Sequence, residues 1–403
     1  DKNTTSEDYG YDANGNLITD LNKRLNGATG ASLTSGGAIT YNHLNLPTVI
    51  AVKKDDGTHK GTITYTYDAA GNKLQKIVDE DGQPLKTTLY LGGLVYENDV
   101  LQFISHEEGR IRFTPATGEQ SAALHYDYFL KDHLGNVRMV LTEEQQQDVY
   151  PAATLEGNIN NSNDAVFVES QYYSIDPANI VNKSEATGIP DYQNNNGNPP
   201  YNNNPNSNTT ANSQKLYKLA ATATTNGGVT GLGFAIKVMA GDRIDIFGKS
   251  YYFQNNTGGN NYNVPVSAIL DGFLNSPAAV AAGKTSSAEL NGLSVITNAI
   301  GDFLSDSDRD NNGTSATPKA YINYIFLDEH FRFVSGNFSR VGAANGVKNH
   351  YDDASMQNIT VPRNGYLYVY ASNESPVNVF FDNLQVIHTR GPVLEETHYY
   401  PFG

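Results

Sequence analysis

Alternating apolar and polar residues characterise the first 150 positions of the chain. The segment 62–67, with the sequence Thr-Ile-Thr-Tyr-Thr-Tyr, has a clear period of two. This period is typical of a β-strand with one packed face and one solvated face. Asp or Asn, and then Gly, follow such segments and tolerate the backbone angles of a tight turn. The pattern predicts strand-turn-strand units in which tyrosines pack across the paired strands.

This strand-turn pattern repeats. Three copies begin with Tyr followed by Asp or Asn, at residues 11–17, 41–47 and 67–74. Further strands are predicted at 89–96, 101–104, 111–113 and 126–130. We expect these hairpins to form an open antiparallel sheet with an exposed edge.

The pattern changes after about residue 142. An Asn-rich tract at 191–212 has 10 Asn among 22 residues and predicts a long flexible loop without a core of its own. Nine strand-like runs surround it, enough for a two-sheet sandwich. They lie at 165–175, 215–219, 232–239, 243–253, 321–327, 331–334, 356–361, 365–371 and 377–388.

One helical stretch interrupts these runs. Residues 266–274 are apolar at near-helical spacing, and the sequence Ser-Ser-Ala-Glu at 286–289 is a capping box that opens a helix to about Leu304. We expect one or two short helices near 266–304, lying over one end of the sandwich.

The composition excludes several classes of function. The chain has no cysteine, so a thiol nucleophile, a disulfide framework and a thiolate metal site are ruled out. Its net charge of −16 is spread evenly along the sequence, which argues against binding to nucleic acid or to anionic lipid. No apolar run is long enough to cross a membrane. We expect the chain to be a monomer.

Two stretches carry a resemblance to a known family. Residues 127–141 place two short apolar strands around Leu134-Gly135-Asn136, and residues 395–403 form a second signature. With the Tyr-Asp repeats, they resemble the Rhs/YD-repeat family of bacterial surface and secreted proteins, in particular the Rhs-associated core of Bacteroidetes-type sequences. The resemblance implies hairpins stacked into a long curling sheet and an extracellular or cell-surface location. Because the chain starts and stops within the pattern, we interpret it as an excised fragment.

The distance between the two signatures indicates a large insert. Residues 234–246 and 380–386 resemble strands of jelly-roll domains, whose outline is similar to galactose-binding-like and carbohydrate-binding modules. The prediction is a mainly β chain with a hairpin-sheet domain at 1–148 and an inserted jelly-roll-like sandwich at 149–390. Residues 391–403 are predicted to return as a strand that pairs near the 126–141 hairpin.

Three tyrosines are the candidate glycan-binding residues. The strand period places Tyr366, Tyr368 and Tyr370 on one face, where their rings could stack on sugar rings. The alternative is cross-strand packing, either in the core or on the surface.

Three alternating carboxylates suggest calcium, the only cofactor that the sequence proposes. Asp306, Asp308 and Asp310 have the spacing of a calcium loop. Gly313 is eighth rather than sixth in this loop and the twelfth position lacks Glu, so an EF-hand is not predicted. A looser calcium site on the sandwich rim and a solvated helix-to-strand loop both remain open.

No catalytic residues are predicted. Asp132-His133 has the composition of a carboxylate–imidazole pair, but its place beside a hairpin turn favours a structural role. A glycosidase needs two facing carboxylates, and no pair proposes itself, although the sequence leaves this class open. We expect a non-catalytic scaffold whose sandwich binds a glycan or a surface protein. The alternative is part of the encapsulating shell of a polymorphic toxin whose toxic domain lies beyond the C-terminus.

Overall fold

The computed structural model of the chain confirms a mainly β fold, with 46% strand and 12% helix. It describes residues 8–26, 37–54, 56–117, 121–195, 201–220, 229–254, 264–277, 286–305, 309 and 316–399. The chain forms two compact units, which we call the hairpin unit (1–144 and 393–403) and the sandwich unit (145–392). These divisions fall within a few residues of those predicted from the sequence.

The first part of the hairpin unit consists of twelve short strands connected in sequence. They are β1 (Tyr9–Tyr11), β2 (Leu17–Asp20), β3 (Ile39–Tyr41), β4 (Pro47–Lys53), β5 (His59–Tyr67), β6 (Lys73–Glu80), β7 (Lys86–Leu91), β8 (Leu94–Glu97), β9 (Val100–His106), β10 (Gly109–Thr114), β11 (Ala123–Lys131) and β12 (Val137–Thr142). Strands β3 to β12 are joined in chain order in one antiparallel sheet, and β1 pairs with β2 separately.

Three hairpin turns of this unit share one geometry built around an aspartate. In the turn at Asp68, Oδ1 accepts hydrogen bonds from the N–H groups of Ala70 (2.9 Å) and Asn72 (2.8 Å), and Oδ2 accepts one from the Asn72 side chain. The turns at Asp12 and Asp132 make the same three bonds. The glycine of each turn has a φ of 83–87°, which L side chains avoid. The Tyr-Asp repeat is therefore an Asx-capped hairpin.

Tyrosine hydroxyls connect neighbouring repeats. The hydroxyl of Tyr41 donates to the carbonyl oxygen of Leu17 at 2.7 Å, and that of Tyr67 donates to the carbonyl oxygen of Pro47 at 3.0 Å. Both acceptors are the first residue of the strand that follows a repeat turn. The repeat tyrosine thus fixes its own strand against the preceding repeat.

The sandwich unit contains twelve further strands. They are β13 (Gln147–Val149), β14 (Tyr173–Ser174), β15 (Ile180–Asn182), β16 (Lys215–Ala220), β17 (Val229–Val238), β18 (Arg243–Tyr251), β19 (Ala320–Asp328), β20 (Phe333–Arg340), β21 (Lys348–Asn349), β22 (Ile359–Thr360), β23 (Gly365–Asn373) and β24 (Asn378–Thr389). One sheet has the order β15-β16-β24-β18-β21, with β13 on β24 and β22 on β18. The other has the order β14-β17-β23-β19-β20.

The helices of the sandwich unit are short. They are α1 (Ala165–Glu169), α2 (Val266–Leu274), α3 (Ser287–Asn291) and α4 (Ser294–Leu304), with 3-10 turns at Pro177–Asn179, Lys183–Glu185, His350–Asp352 and Ala354–Met356. The predicted capping box is present at Ser286 and Glu289, but the helix that it opens ends at Asn291 and a second one begins at Ser294. The sequence therefore underestimated the number of helices.

Two packed layers hold the sandwich unit together. Leu367 and Val369 of β23 face the core between the sheets, where Phe234 of β17 and Phe381 of β24 are also buried. The opposite face of the five-stranded sheet packs against α2, α3 and α4 and forms a second apolar cluster. Successive side chains of β23 lie on opposite faces of the sheet and are therefore buried in two different apolar clusters.

The chain returns to the hairpin unit as β25 (Val393–Glu396). It pairs antiparallel with β12, with Met139 opposite Glu396 and Val140 opposite Glu395. This is the pairing that the sequence predicts for the return strand. It places β25 and β3 at the two edges of an eleven-stranded sheet.

An ion-pair network crosses the β25 end of that sheet. The fully buried carboxylate of Asp127 accepts hydrogen bonds from Arg110 Nε at 2.9 Å and Arg112 Nε at 3.0 Å. Arg112 also pairs with Glu144, and Arg110 reaches Glu395 on the return strand at 3.1 Å. Burial by itself would raise the pKa of Asp127, but the two arginines lower it. The network ties the return strand to β10 and β11.

Two predictions about the sandwich need correction. Residues 165–175, predicted as a strand, form α1 and the two-residue β14 instead. The described residues of the Asn-rich tract, 191–195 and 201–212, form no strand, as expected, but they are firmly anchored. Asn202 and Asn204 are 9% and 4% exposed, and the Asn204 amide donates to the Ala165 carbonyl at 2.9 Å. Asparagine amides bond to backbone here, so the tract packs without an apolar core.

Candidate functional site

A cleft of about 470 Å³ lies in the sandwich unit at the β17 side of the five-stranded sheet. Ser174 of β14 and Asp176 after it form one wall, and α2 with the residues after it contributes Gly272, Asn275 and Pro277. The pairing of β17 with β23 shifts between Gly231 and Phe234, and Leu232 has a φ of 52°. This bulge interrupts the regular ladder beside the cleft.

Three glycines make room for the cleft. A Cβ atom at Gly233 would lie 2.8 Å from the Tyr368 hydroxyl, and one at Gly272 would lie 2.2 Å from it. A Cβ atom at Gly231 would lie 2.3 Å from the Tyr217 ring. All three positions line the cleft. Any side chain there would collide with the tyrosines that form its walls.

Several hydroxyl groups meet at this cleft. The Tyr217 hydroxyl accepts hydrogen bonds from the Asp176 N–H at 3.2 Å and the Asn179 side chain at 3.3 Å. Within the described ranges, Ser174 Oγ is buried without a hydrogen-bond partner, and the Tyr368 hydroxyl, which borders the cleft, makes no described hydrogen bond. Burial raises the pKa of Tyr217 and of Tyr368, so both phenols are neutral at pH 7. The cleft therefore offers a polar ligand the unpaired Tyr368 hydroxyl and the O–H donor of Tyr217, whose oxygen already accepts two hydrogen bonds.

The structure places the three predicted tyrosines in the core rather than on the surface. Tyr366, Tyr368 and Tyr370 are 3%, 1% and 0% exposed and lie under the helices. The Tyr366 ring stacks on Phe331 at 5.2 Å and meets Phe273 edge-on at 5.7 Å. Their shared face is as predicted, but helices cover it and leave no ring face for a sugar. Of the three, Tyr368 alone lines the cleft, with its hydroxyl near Gly233 and Gly272.

The remaining candidates from the sequence are the three aspartates of the calcium loop and the Asp132-His133 pair. Asp306, Asp308 and Asp310 lie outside the described residues. Asp132 caps its hairpin turn through Leu134 and Asn136. In the part of the chain that the structure describes, no group of three or more His, Asp or Glu side chains is placed to hold a metal ion.

A second polar cluster is closed inside the sandwich unit. Asp382 Oδ2 accepts hydrogen bonds from the hydroxyls of Tyr192 and Ser213, both at 2.7 Å. Glu169 accepts from Thr154 Oγ1 at 2.6 Å and from the Leu155 N–H at 2.8 Å. Burial raises the pKa of both Asp382 and Glu169 to about 7. Both carboxyl groups are about 1% exposed or less, so this cluster is structural.

Sequence reasoning missed the residues of the cleft. Ser174 lies in the segment 165–175 that was predicted as a strand, Asp176 directly follows that segment, and Tyr217 was one tyrosine among 26. The available signal was Gly231 and Gly233 at the start of the strand-like run 232–239, because glycine in a strand marks a bulge or a close approach.

No helix within the described ranges combines the length and apolar character needed to cross a bilayer. No protein-family model and no curated protein matches the chain. Among solved structures, the chain is similar to the structure of infectious bursal disease virus Gx strain, with 7% identity and a TM-score of 0.26. The match covers 78% of this chain and 44% of that one. A similarity of this extent supports no conclusion about fold or function.

Proposed function

We propose that the chain is a non-catalytic extracellular or cell-surface protein in which a framework of Rhs/YD-type hairpins carries a glycan-binding sandwich. The Asx-capped turns, the Tyr-Asp repeats and the return strand support the framework. The cleft supports binding by the sandwich unit.

The observation that carries the proposal is that three hydroxyl-bearing side chains line the cleft, and that the Tyr368 hydroxyl makes no described hydrogen bond. Saccharides present many hydroxyl donors and acceptors in a small volume, which matches Tyr368, Ser174 and Tyr217. Among the described lining residues, Asp176 is the single carboxylate and none is a histidine. A pair of facing carboxylates, which glycosidases use, is therefore missing from these lining residues. This favours binding without hydrolysis.

The test is calorimetric titration of the chain with ligands found on a glycan array. Tyr368→Phe removes a hydroxyl without a described partner, so we expect weaker binding, by about 3- to 10-fold, at unchanged stability. The matched control is Tyr324→Phe, on the neighbouring strand, because Tyr324 does not line the cleft. Failure to bind any glycan, or equal affinity in Tyr368→Phe, would contradict the proposal.

A second candidate function is suggested by the hairpin sheet. Leu124, Tyr126 and Leu130 alternate along β11 on one face and are 54%, 44% and 50% exposed. An apolar sheet face of this kind fits part of the encapsulating shell of a polymorphic toxin. In that case the chain binds a permanently unfolded polypeptide, such as reduced and alkylated lactalbumin, and Leu124→Ser with Leu130→Ser abolishes the binding. No binding by the unaltered chain would exclude this function.

A further inference from the structure

We infer that the cleft selects saccharides by charge, preferring an amino sugar to its neutral counterpart and the neutral sugar to the corresponding acid, with Asp176 as the specificity-determining residue. This inference rests on the proposed glycan binding and adds the ligand class.

Asp176 is the only charged residue among the thirteen described residues that line the cleft. Its side chain is exposed, and it follows the strand that forms one wall. Lys, Arg and His are absent from these thirteen residues, so no described side chain of the cleft walls compensates this carboxylate. The whole chain carries a net charge of −16, which adds to the negative potential.

One oxygen of this carboxylate is available to a ligand. Oδ1 accepts a hydrogen bond from the Ala178 N–H at 2.9 Å, as the N-cap of a 3-10 turn. Oδ2 has no hydrogen-bond or ion-pair partner within the described ranges. The cap holds the carboxylate in place beside the Tyr217 hydroxyl, to which the Asp176 N–H also donates. The charge is thus fixed in position and lacks a counter-ion among the described side chains.

A fixed exposed carboxylate discriminates modestly between ligands. Two unit charges 4 Å apart in water interact by about 1 kcal/mol, which corresponds to about fivefold in affinity. We therefore expect about fivefold tighter binding of an amino sugar than of the neutral sugar, and about fivefold weaker binding of the acid. Both differences shrink at high salt because exposed charges are screened.

The experiment measures dissociation constants for two matched series, by ligand-observed NMR at low salt on the full chain. The series are glucosamine, glucose and glucuronic acid, and galactosamine, galactose and galacturonic acid. Asp176→Asn removes the charge and retains a capping oxygen. Glu329→Gln changes the net charge equally, in the exposed turn between β19 and β20 at the far edge of the sheet.

In the unaltered chain and in Glu329→Gln, we expect the affinity to fall from the amino sugar to the neutral sugar to the acid. In Asp176→Asn, we expect the three affinities to become similar. Affinities that do not depend on the charge of the sugar, or a dependence that persists in Asp176→Asn, would overturn the inference and leave glycan binding intact. Absence of binding by all six sugars would overturn the proposed glycan site as well.

Discussion

The hydroxyl of Tyr399 donates a hydrogen bond to the carbonyl oxygen of Val137 at 3.1 Å, across 262 positions of sequence. Val137 is the first residue after the Asp132 turn, just as Leu17 and Pro47 are the first residues of the strands that follow earlier turns. Tyr41 and Tyr67 make the same contact with those residues. The segment from Val393 to Tyr399 therefore occupies the position of the next repeat, and the sandwich unit interrupts the repeat series without changing its geometry.

If Tyr399 is a repeat tyrosine, loss of its hydroxyl should destabilise the hairpin unit as much as loss of the Tyr67 hydroxyl does. We expect Tyr399→Phe and Tyr67→Phe each to lower the free energy of unfolding of this unit by about 0.5–1 kcal/mol, because each removes one hydrogen bond. Urea denaturation measures this change. Tyr9→Phe is the control, since Tyr9 is 47% exposed and its hydroxyl has no hydrogen-bond partner in the described ranges. An unchanged free energy of unfolding in Tyr399→Phe, together with a lowered one in Tyr67→Phe, would show that the two tyrosines are not equivalent.

Two buried tyrosines of the sandwich unit have opposite predicted effects. The Tyr370 hydroxyl is buried without a hydrogen-bond partner in the described structure, whereas Tyr173 donates to the Pro151 carbonyl at 2.9 Å. Removing an unsatisfied buried hydroxyl is favourable, and removing a bonded one leaves its acceptor unpaired. Tyr370→Phe should raise the free energy of unfolding by about 1 kcal/mol, and Tyr173→Phe should lower it by a similar amount. Thermal unfolding of the pair measures this difference, and equal shifts would argue against it.

Asp382 gives the sandwich unit a distinctive dependence on pH. Because burial raises its pKa to about 7, the folded chain keeps a proton that the unfolded chain releases above its ordinary pKa near 4. Stability from this group is thus fully present below pH 4 and lost as pH rises towards 7. Glu169 acts in the same direction. Burial lowers the pKa of His350 to about 3, so this group has the opposite effect: its contribution to stability rises with pH between pH 3 and 6.5.

Comparison of the unaltered chain with Asp382→Asn isolates that contribution. Between pH 5 and 6.5 the free energy of unfolding of the unaltered chain should fall with rising pH. This fall should be steeper than that of Asp382→Asn by about 1 kcal/mol per pH unit. Urea denaturation at four pH values provides the slopes. Parallel slopes for the two proteins would show that Asp382 is ionised in the fold.

The sequence predicted the hairpins well because their determinants are local. Asp68, Gly71 and Asn72 specify a turn by themselves, and the period of two in residues 62–67 fixes which side chains share a face. The return strand was also predictable, since the repeat signature resumes at the end of the chain.

Prediction failed where a tertiary neighbour decided the outcome. Tyr366 and Tyr370 share a face as expected, but the strand period does not reveal that helices cover that face. The cleft joins Ser174, Tyr217 and Tyr368, which are far apart in sequence and meet only through sheet order. Residues 165–169 form α1 rather than a strand, and Ala165 and Val166 are buried there, because tertiary packing outweighs weak local preferences.

The central claim is that the sandwich unit is inserted into a hairpin that closes without it. β12 and β25 are paired neighbours in the hairpin unit, and β13 and β24 are paired neighbours in the sandwich unit. In each unit, the two strands next to the junctions are therefore paired with each other. A tolerated domain insertion requires this arrangement.

The most direct test removes residues 145–392 and joins Glu144 to Val393 through Asn-Gly, a favoured hairpin turn. Amide hydrogen exchange is then measured in β11 and β12 of the shortened chain. Our account predicts protected amides there, with Tyr399→Phe reducing the protection. Exchange of these amides at the rate of an unfolded chain would contradict it.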